Sequence, residues 1–370
     1  MNVEQLNTNM RIAYHNAGIK GSGVIFCVLD TGVKPISWLS GKVLNGTSDG
    51  QRDDDGHGTF VAGQLIEGCL DSRVISYRVI KDGKGKTEDI IAALESIYAT
   101  AKKDAKTQYV VNISLSGAQG TYGDLLERYK NAIEQLVNLN VPVIVAAGND
   151  GEQILNKYPS CFEAPITVSA IDKNANRAEF STWHNEVDFC DYGVGVKGLN
   201  ARTGLASASR DGTSMSTPNL AWKCGLIMCA YMKTYGKKMP EPLLYETLKA
   251  MATDLGVSGR DSYFGYGFVN INKTVDVKPT PEAPTPPASP EPEIPTTPSK
   301  TKFPYLAKYT GATQVNVRSG ASTSFNKIGI LSSWEKCIVI DEKDGWVEAV
   351  LHERAEILCG WCDKTYVKPI

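Results

Sequence analysis

The sequence of 370 residues has no apolar run approaching the about 18 residues that a membrane span needs. Its longest candidate, Leu220 to Met232, is interrupted by Lys223, so no membrane span is expected. Charge of one sign is missing too: 39 Lys and Arg stand against 41 Asp and Glu, a net charge of -2. Nucleic-acid binders carry a basic surplus or stripe, and that class is set aside. The first residues, Met1-Asn2-Val3-Glu4-Gln5, lack the positive and then apolar regions of a secretory signal. A regular disulfide framework is absent: the 9 cysteines are odd in number and irregularly spaced. Cys27, inside Val24–Leu29, reads as a small core residue, and most of the others are expected to do the same. Cys359-Gly-Trp-Cys362 has no second pair in register, which disfavours zinc and leaves a local disulfide or an inert strand pair.

Proline divides the chain. Of 18 prolines, 9 fall between Pro279 and Pro298 among Thr, Glu, Ala and Ser. Such a stretch cannot bury a core and favours extended polyproline geometry, so 278–302 is expected to be a semi-rigid spacer. Upstream, residues 1–277 alternate short Val/Ile/Ala runs with helical patterns. Strands are expected at Val24–Asp30, Val74–Ile80, Tyr109–Leu115, Val141–Ala147 and Ile166–Ile171, each near-continuously apolar, as in a parallel sheet covered on both faces. Ile90, Ile91, Leu94, Ile97, Tyr98 and Ala101 recur at helical spacing after the acidic turn Thr87-Glu88-Asp89. Leu125, Leu126, Tyr129, Ile133, Leu136 and Val137 repeat that spacing. The alternation argues for a three-layer α/β domain with a mostly parallel sheet. Downstream, 303–370 shows short strands and turns but almost no helical periodicity, and reads as a small all-β unit.

Three segments carry chemistry. Asp30 closes the strand run Val28-Leu29-Asp30-Thr31-Gly32, where parallel sheets gather their active sites. His57 enters an apolar helix in Asp55-Gly56-His57-Gly58-Thr59-Phe60-Val61-Ala62-Gly63. Ser214 follows a glycine turn in Asp211-Gly212-Thr213-Ser214-Met215-Ser216-Thr217-Pro218, with Pro218 read as lying in the first turn of a helix ending near Tyr235. Singly, each has a plainer role, as a cap or a packed polar residue. Together they supply an acid to orient an imidazole, a base and a nucleophile.

The order Asp, His, Ser and the three surrounding motifs, from about Asn9 to Asn272, resemble the subtilisin-like serine proteases, the subtilases. The resemblance implies a subtilisin-like fold and a serine endopeptidase forming an acyl-enzyme on Ser214. Asp30 would hold His57, and His57 would act as general base and then general acid. It further implies that Asn149, after Val143-Ile144-Val145-Ala146-Ala147-Gly148, donates to the oxyanion beside the Ser214 N–H. Asn112-Ile113-Ser114-Leu115-Ser116-Gly117 resembles the edge on which an extended peptide substrate pairs. The primary specificity pocket would be lined by Ser114, Leu115, Ser116, Ala147 and Gly148, with its floor within Gly151–Lys157.

Departures from the family pattern carry expectations of their own. Phe60 replaces a second histidine and should pack in the interior, Ser216 and Asn219 replace a frequent Ala and His, and Trp222 puts a large ring where glycine is common. Gly68–Arg73 is too short for the calcium loop of secreted members, and Leu39 occupies the region of an acidic ligand. No high-affinity calcium site and no metal or organic cofactor in the chemistry are therefore expected, with weak surface calcium sites left open. The match starts within the first ten residues, so a propeptide is either removed or not needed. His184 and His352 read as structural.

The tail resembles a bacterial SH3-like domain through Val315-Asn316-Val317-Arg318-Ser319-Gly320-Ala321-Ser322-Thr323, Ile328-Gly329-Ile330-Leu331, Asp344-Gly345-Trp346-Val347 and Gly360-Trp361-Cys362. That resemblance implies a small barrel binding cell-wall peptides or peptidoglycan, with Trp346, Trp361 and Tyr366 as groove or core residues; a spacer without wall affinity is the plainer alternative. The whole reads as a bacterial or phage serine endopeptidase acting on polypeptides and targeted by its tail. The rival reading is a catalytically silent subtilase-fold binding protein. A cell-envelope or extracellular location fits the linker and tail, and a cytoplasmic one fits the absent signal.

Overall fold

A computed structural model describes residues 1–117 and 123–272 and seven strands between residues 305 and 369. The chain separates into two compact units, Met1–Ala283 and Pro284–Ile370. The spacer expected at 278–302, His352, Tyr366, residues 319–323 and the Asp344-Gly345 turn lie outside the described residues.

The first unit is built on strands β1 (Val24–Asp30), β2 (Val43–Asn45), β3 (Arg73–Arg78), β4 (Ile80–Lys81), β5 (Lys84–Gly85), β6 (Gln108–Ile113), β7 (Val143–Ala146), β8 (Ile166–Ile171), β9 (Val187–Tyr192), β10 (Val196–Gly198), β11 (Ala208–Arg210), β12 (Ala252–Thr253) and β13 (Phe268–Val269). Its helices are α1 (Val3–Asn16), α2 (His57–Gly68), α3 (Thr87–Lys103), α4 (Asp124–Asn138), α5 (Thr213–Tyr235) and α6 (Glu241–Met251). Nine strands form one sheet in the order β12-β13-β9-β8-β7-β6-β1-β3-β2, and every pairing in it is parallel except β12 with β13. The strands β1, β6, β7 and β8 are buried along their whole length, because helices cover both faces. One core gathers Phe26, Phe60, Leu65, Trp222 and Phe268 with α1, α2, α5 and α6. The other gathers Leu29, Ile97, Val111, Tyr129 and Ile133 with α3 and α4. These are the three layers expected from the alternation.

Some expected elements change length for identifiable reasons. β3 ends at Arg78, because Ile80 leaves the sheet for the β4–β5 hairpin. β6 stops at Ile113, and Ser114 turns to face α5. Pro218 is not in the first turn of α5: it is the sixth residue of a helix that begins at Thr213. Lacking an N–H, it leaves the Ser214 carbonyl without its helical donor, and the Ser114 hydroxyl supplies the missing bond at 2.9 Å.

Packing bears out the expectations for the large side chains. Phe60 is fully buried, and Trp222 buries its ring against Gly68 while its Nε1–H donates to Asn219 Oδ1 at 3.0 Å. Leu39 is core. Cys27, Cys69, Cys190, Cys224 and Cys229 are buried free thiols, and Cys161 is partly exposed. The second unit contributes β14 (Tyr305–Tyr309), β15 (Val315–Arg318), β16 (Lys327–Leu331), β17 (Lys336–Lys343), β18 (Trp346–Leu351), β19 (Leu358–Asp363) and β20 (Val367–Pro369). They form one antiparallel sheet in the order β16-β15-β19-β18-β17-β14-β20. Among the described residues no helix is long and apolar enough to cross a membrane.

Candidate active site

The strands β7, β6 and β1 are neighbours in the sheet, and their C-terminal ends deliver Asn149, Ser114 and Asp30 to one edge. Asp30 is fully buried. Its carboxylate accepts from His57 Nδ1, at 2.8 Å to Oδ1 and 3.0 Å to Oδ2, and from the Thr31 N–H at 2.7 Å. With Nδ1 engaged, the His57 Nε2 is the nitrogen left to act as a base.

This approach depends on the close contact of α2 with β1. A Cβ on Gly58 would lie 2.1 Å from Gly32 O and 3.0 Å from Asp30 Cβ, so any larger residue there forces the helix off the strand. The helix start is held by a residue the sequence reading did not single out. Asp53, fully buried, accepts from Gly56 N at 2.7 Å, Thr59 N at 2.9 Å, Thr59 Oγ1 at 2.5 Å and Thr31 Oγ1 at 2.9 Å. A carboxylate on free N–H groups at a helix N-terminus is favourable on both hydrogen-bond and dipole grounds. Thr31 Oγ1 in turn accepts from Gly58 N at 2.9 Å, closing the link between β1 and α2. The run Asp53-Asp54-Asp55 four residues before His57 is the only sequence trace of this device.

Two opposing influences set the protonation of His57. Burial works against the charged ring, but the charge and hydrogen bond of Asp30 outweigh it and raise the pKa above the ordinary imidazole value. Arg210 pulls the other way, and Asp55 adds to Asp30.

Ser214 opens the second turn-to-helix junction, behind Gly212 at φ 146°. Its hydroxyl donates to the Ser114 carbonyl at 2.8 Å, not to His57, while the Ser114 hydroxyl donates back to the Ser214 carbonyl. Asn112 Nδ2 donates to Ser114 Oγ at 2.9 Å and orients it. Asn149 Oδ1 accepts from both Thr213 N, at 2.9 Å, and Thr213 Oγ1, at 3.0 Å, which turns Nδ2 outward as the free donor. A Cβ on Gly212 would stand 3.5 Å from Asn149 Nδ2 and 3.6 Å from Ser214 N, so these two donors border one space kept open by glycine. Ser114 and Ala147 are buried, Leu115 and Ser116 partly exposed, and Gly148 adopts φ 116°. His184 is fully buried with Nδ1 3.3 Å from Glu186 Oε2.

Comparisons with known proteins agree with this frame. The family model described as the subtilase family matches residues 21–267. The minor extracellular protease Epr of Bacillus subtilis (strain 168) is 27% identical over 266 residues, which are 68% of this chain and 38% of that protein. Subtilisin BL of Lederbergia lenta is 30% identical over 273 residues, 70% of this chain and 93% of that protein. The chain thus spans little more than a third of Epr and nearly all of subtilisin BL. The crystal structure of a lanthipeptide protease shares the fold, with a TM-score of 0.63 at 21% identity over 73% of this chain and 93% of that one. On the family match and these relatives, the chain belongs to the subtilases, a family of subtilisin-like serine endopeptidases.

Proposed function

We propose that this protein is a serine endopeptidase that hydrolyses polypeptides through an acyl-enzyme on Ser214. Asp30 holds His57 in one tautomer and stabilises its charged form. His57 Nε2 takes the Ser214 proton and later gives it to the leaving amine. Asn149 Nδ2 and the Ser214 N–H receive the developing oxyanion. The observation that carries this reading is the pairing of a fully buried Asp30 with His57 Nδ1 at 2.8 Å.

The resting bond from Ser214 to the Ser114 carbonyl fits the same scheme. Ser114–Ser116 is the edge proposed to pair with substrate, so an incoming peptide N–H takes over that carbonyl. The Ser214 hydroxyl is then free to rotate toward His57.

The second unit is proposed as an SH3-like module directing the peptidase to cell-wall peptides. Its seven short antiparallel strands and the partly exposed Trp346 support that reading. One experiment addresses both parts. The full chain should degrade unfolded casein, with Ser214→Ala lowering the rate at least about 10⁴-fold and Asn149→Ala about 10²–10³-fold. The Ser214→Ala chain should also co-sediment with purified peptidoglycan sacculi. Casein hydrolysis that survives Ser214→Ala defeats the first part, and a protein left in the supernatant defeats the second.

A further inference from the structure

Beside the oxyanion residues lies an ion pair that the reaction chemistry does not use. Gly148 precedes Asn149, and three side chains pack against its face. A Cβ on Gly148 would lie 2.9 Å from Thr182 Oγ1, 3.1 Å from Lys157 Cδ and 3.2 Å from Asp150 Oδ2. The Lys157 ammonium donates to Asp150 Oδ2, and Thr182 Oγ1 donates to the same oxygen at 2.8 Å. Thr182 Oγ1 also accepts from the Asp150 N–H at 3.0 Å. Ser160 fastens the Lys157 segment to the end of β7, its hydroxyl lying 2.9 Å from Lys157 O and 3.3 Å from Ala147 O. The two charges are unequally hydrated, with side-chain exposures of 9% for Lys157 and 34% for Asp150.

We infer that Lys157 is the charged end of the pocket for the residue whose carbonyl is attacked (P1), and that the protein prefers glutamate or aspartate there. The inference rests on the peptidase reading and names its substrate class. In the peptidase reading, the P1 side chain of a carbonyl attacked by Ser214 enters the lining that the subtilase resemblance implies, between the segments 114–116 and 147–148. The face of Gly148 is where Lys157, Asp150 and Thr182 meet.

A P1 carboxylate there finds an ammonium with two N–H donors beyond the one given to Asp150. It finds them in a poorly hydrated place, where pairing of opposite charges is strong. A P1 lysine or arginine meets the same buried positive charge, and the Asp150 carboxylate is already engaged by Lys157 and Thr182. A leucine or phenylalanine strips the remaining water from the pair and returns no hydrogen bond.

The test uses tetrapeptide coumarin amides identical except for Glu, Gln, Leu, Phe or Lys at P1. kcat/KM is measured with the full chain, and Kd for the same peptides with the full chain carrying Ser214→Ala. Glu is expected to exceed Lys by at least about tenfold, the scale of one close charge pair. Lys157→Met keeps the side-chain length and removes the charge, and it should invert that ratio because Asp150 is left unpaired. Asp150→Asn keeps the ammonium and removes its competitor, so it should raise the preference for Glu. It also supplies the comparison if the methionine variant does not fold. A profile led by Leu, Phe or Lys overturns the proposal, and so does a Glu preference that persists in Lys157→Met. Glu-selective binding without turnover defeats the peptidase reading and upholds the pocket. Turnover without Glu selectivity defeats the pocket alone, and neither turnover nor selective binding defeats both.

Discussion

At the scale of single residues, His57 is held between Asp30, which favours its charged form, and burial and Arg210, which oppose it. A general base must be neutral to accept the Ser214 proton. Because the pKa is raised, kcat/KM should climb with pH through a value above about 6.5 and be lost below it. Asp30→Asn removes the main raising influence and leaves burial and Arg210 opposed only by Asp55, the smallest of these influences, so the acid limb should move to lower pH while kcat falls about 10⁴-fold. A pH–rate profile of both proteins on one peptide checks this, and an unmoved limb would show that Asp30 does not control the base. Asp30, His57 and Ser214 were legible in the sequence because each sits in a short glycine-marked motif whose meaning is local. Asp53 and the part played by Thr213 were not. Asp53 acts through Thr31 at a separation of 22 residues, and Thr213 fixes an Asn149 amide 64 residues away. Lys157 was legible only as the end of the expected floor Gly151–Lys157, and its packing against Gly148 appears only once the loop is folded.

At the scale of elements, α5 does two tasks. Its first turn presents Ser214, and its middle carries Lys223 into the core, where both Lys223 and Asp191 of β9 are fully buried. Their contact of 2.5 Å is completed by Asn7 Nδ2 of α1 on Asp191 Oδ1 at 3.0 Å and by Val269 O of β13, which accepts from Lys223 at 2.9 Å. Burial pushes the Lys223 pKa down, and Asp191 opposes that shift. Removing one partner leaves an uncompensated buried charge, so Asp191→Ala should cost about 3–5 kcal/mol. The midpoint of urea unfolding checks this, and a loss below about 1 kcal/mol would mean that the pair is not what joins α1, β9, α5 and β13. This network also explains which elements escaped sequence analysis. Asp188 and Asp191 break the apolar run of β9, which hides a strand whose acids reach the side chains of distant partners such as Tyr245, Arg260 and Lys223. α1 buries Val3, Asn7 and Met10 at helical spacing, but one of the three is polar, so the apolar stripe in the sequence is thin.

At the scale of the whole molecule, the first unit was legible as a three-layer α/β body because β1, β6, β7 and β8 are apolar throughout and α3 and α4 are amphipathic. The sheet order then sets three adjacent strand ends beside the starts of α2 and α5, and that placement turns scattered motifs into one site. Within that site, Ser214 must be an activated nucleophile for the proposed reaction to run. Reaction of the purified full chain with a fluorophosphonate probe, followed by intact-mass and peptide mass spectrometry, tests this most directly. One adduct per chain on Ser214, lost in Ser214→Ala and strongly slowed in Asp30→Asn, is the predicted result. A folded chain that takes up no probe, or takes it up elsewhere, would contradict the account.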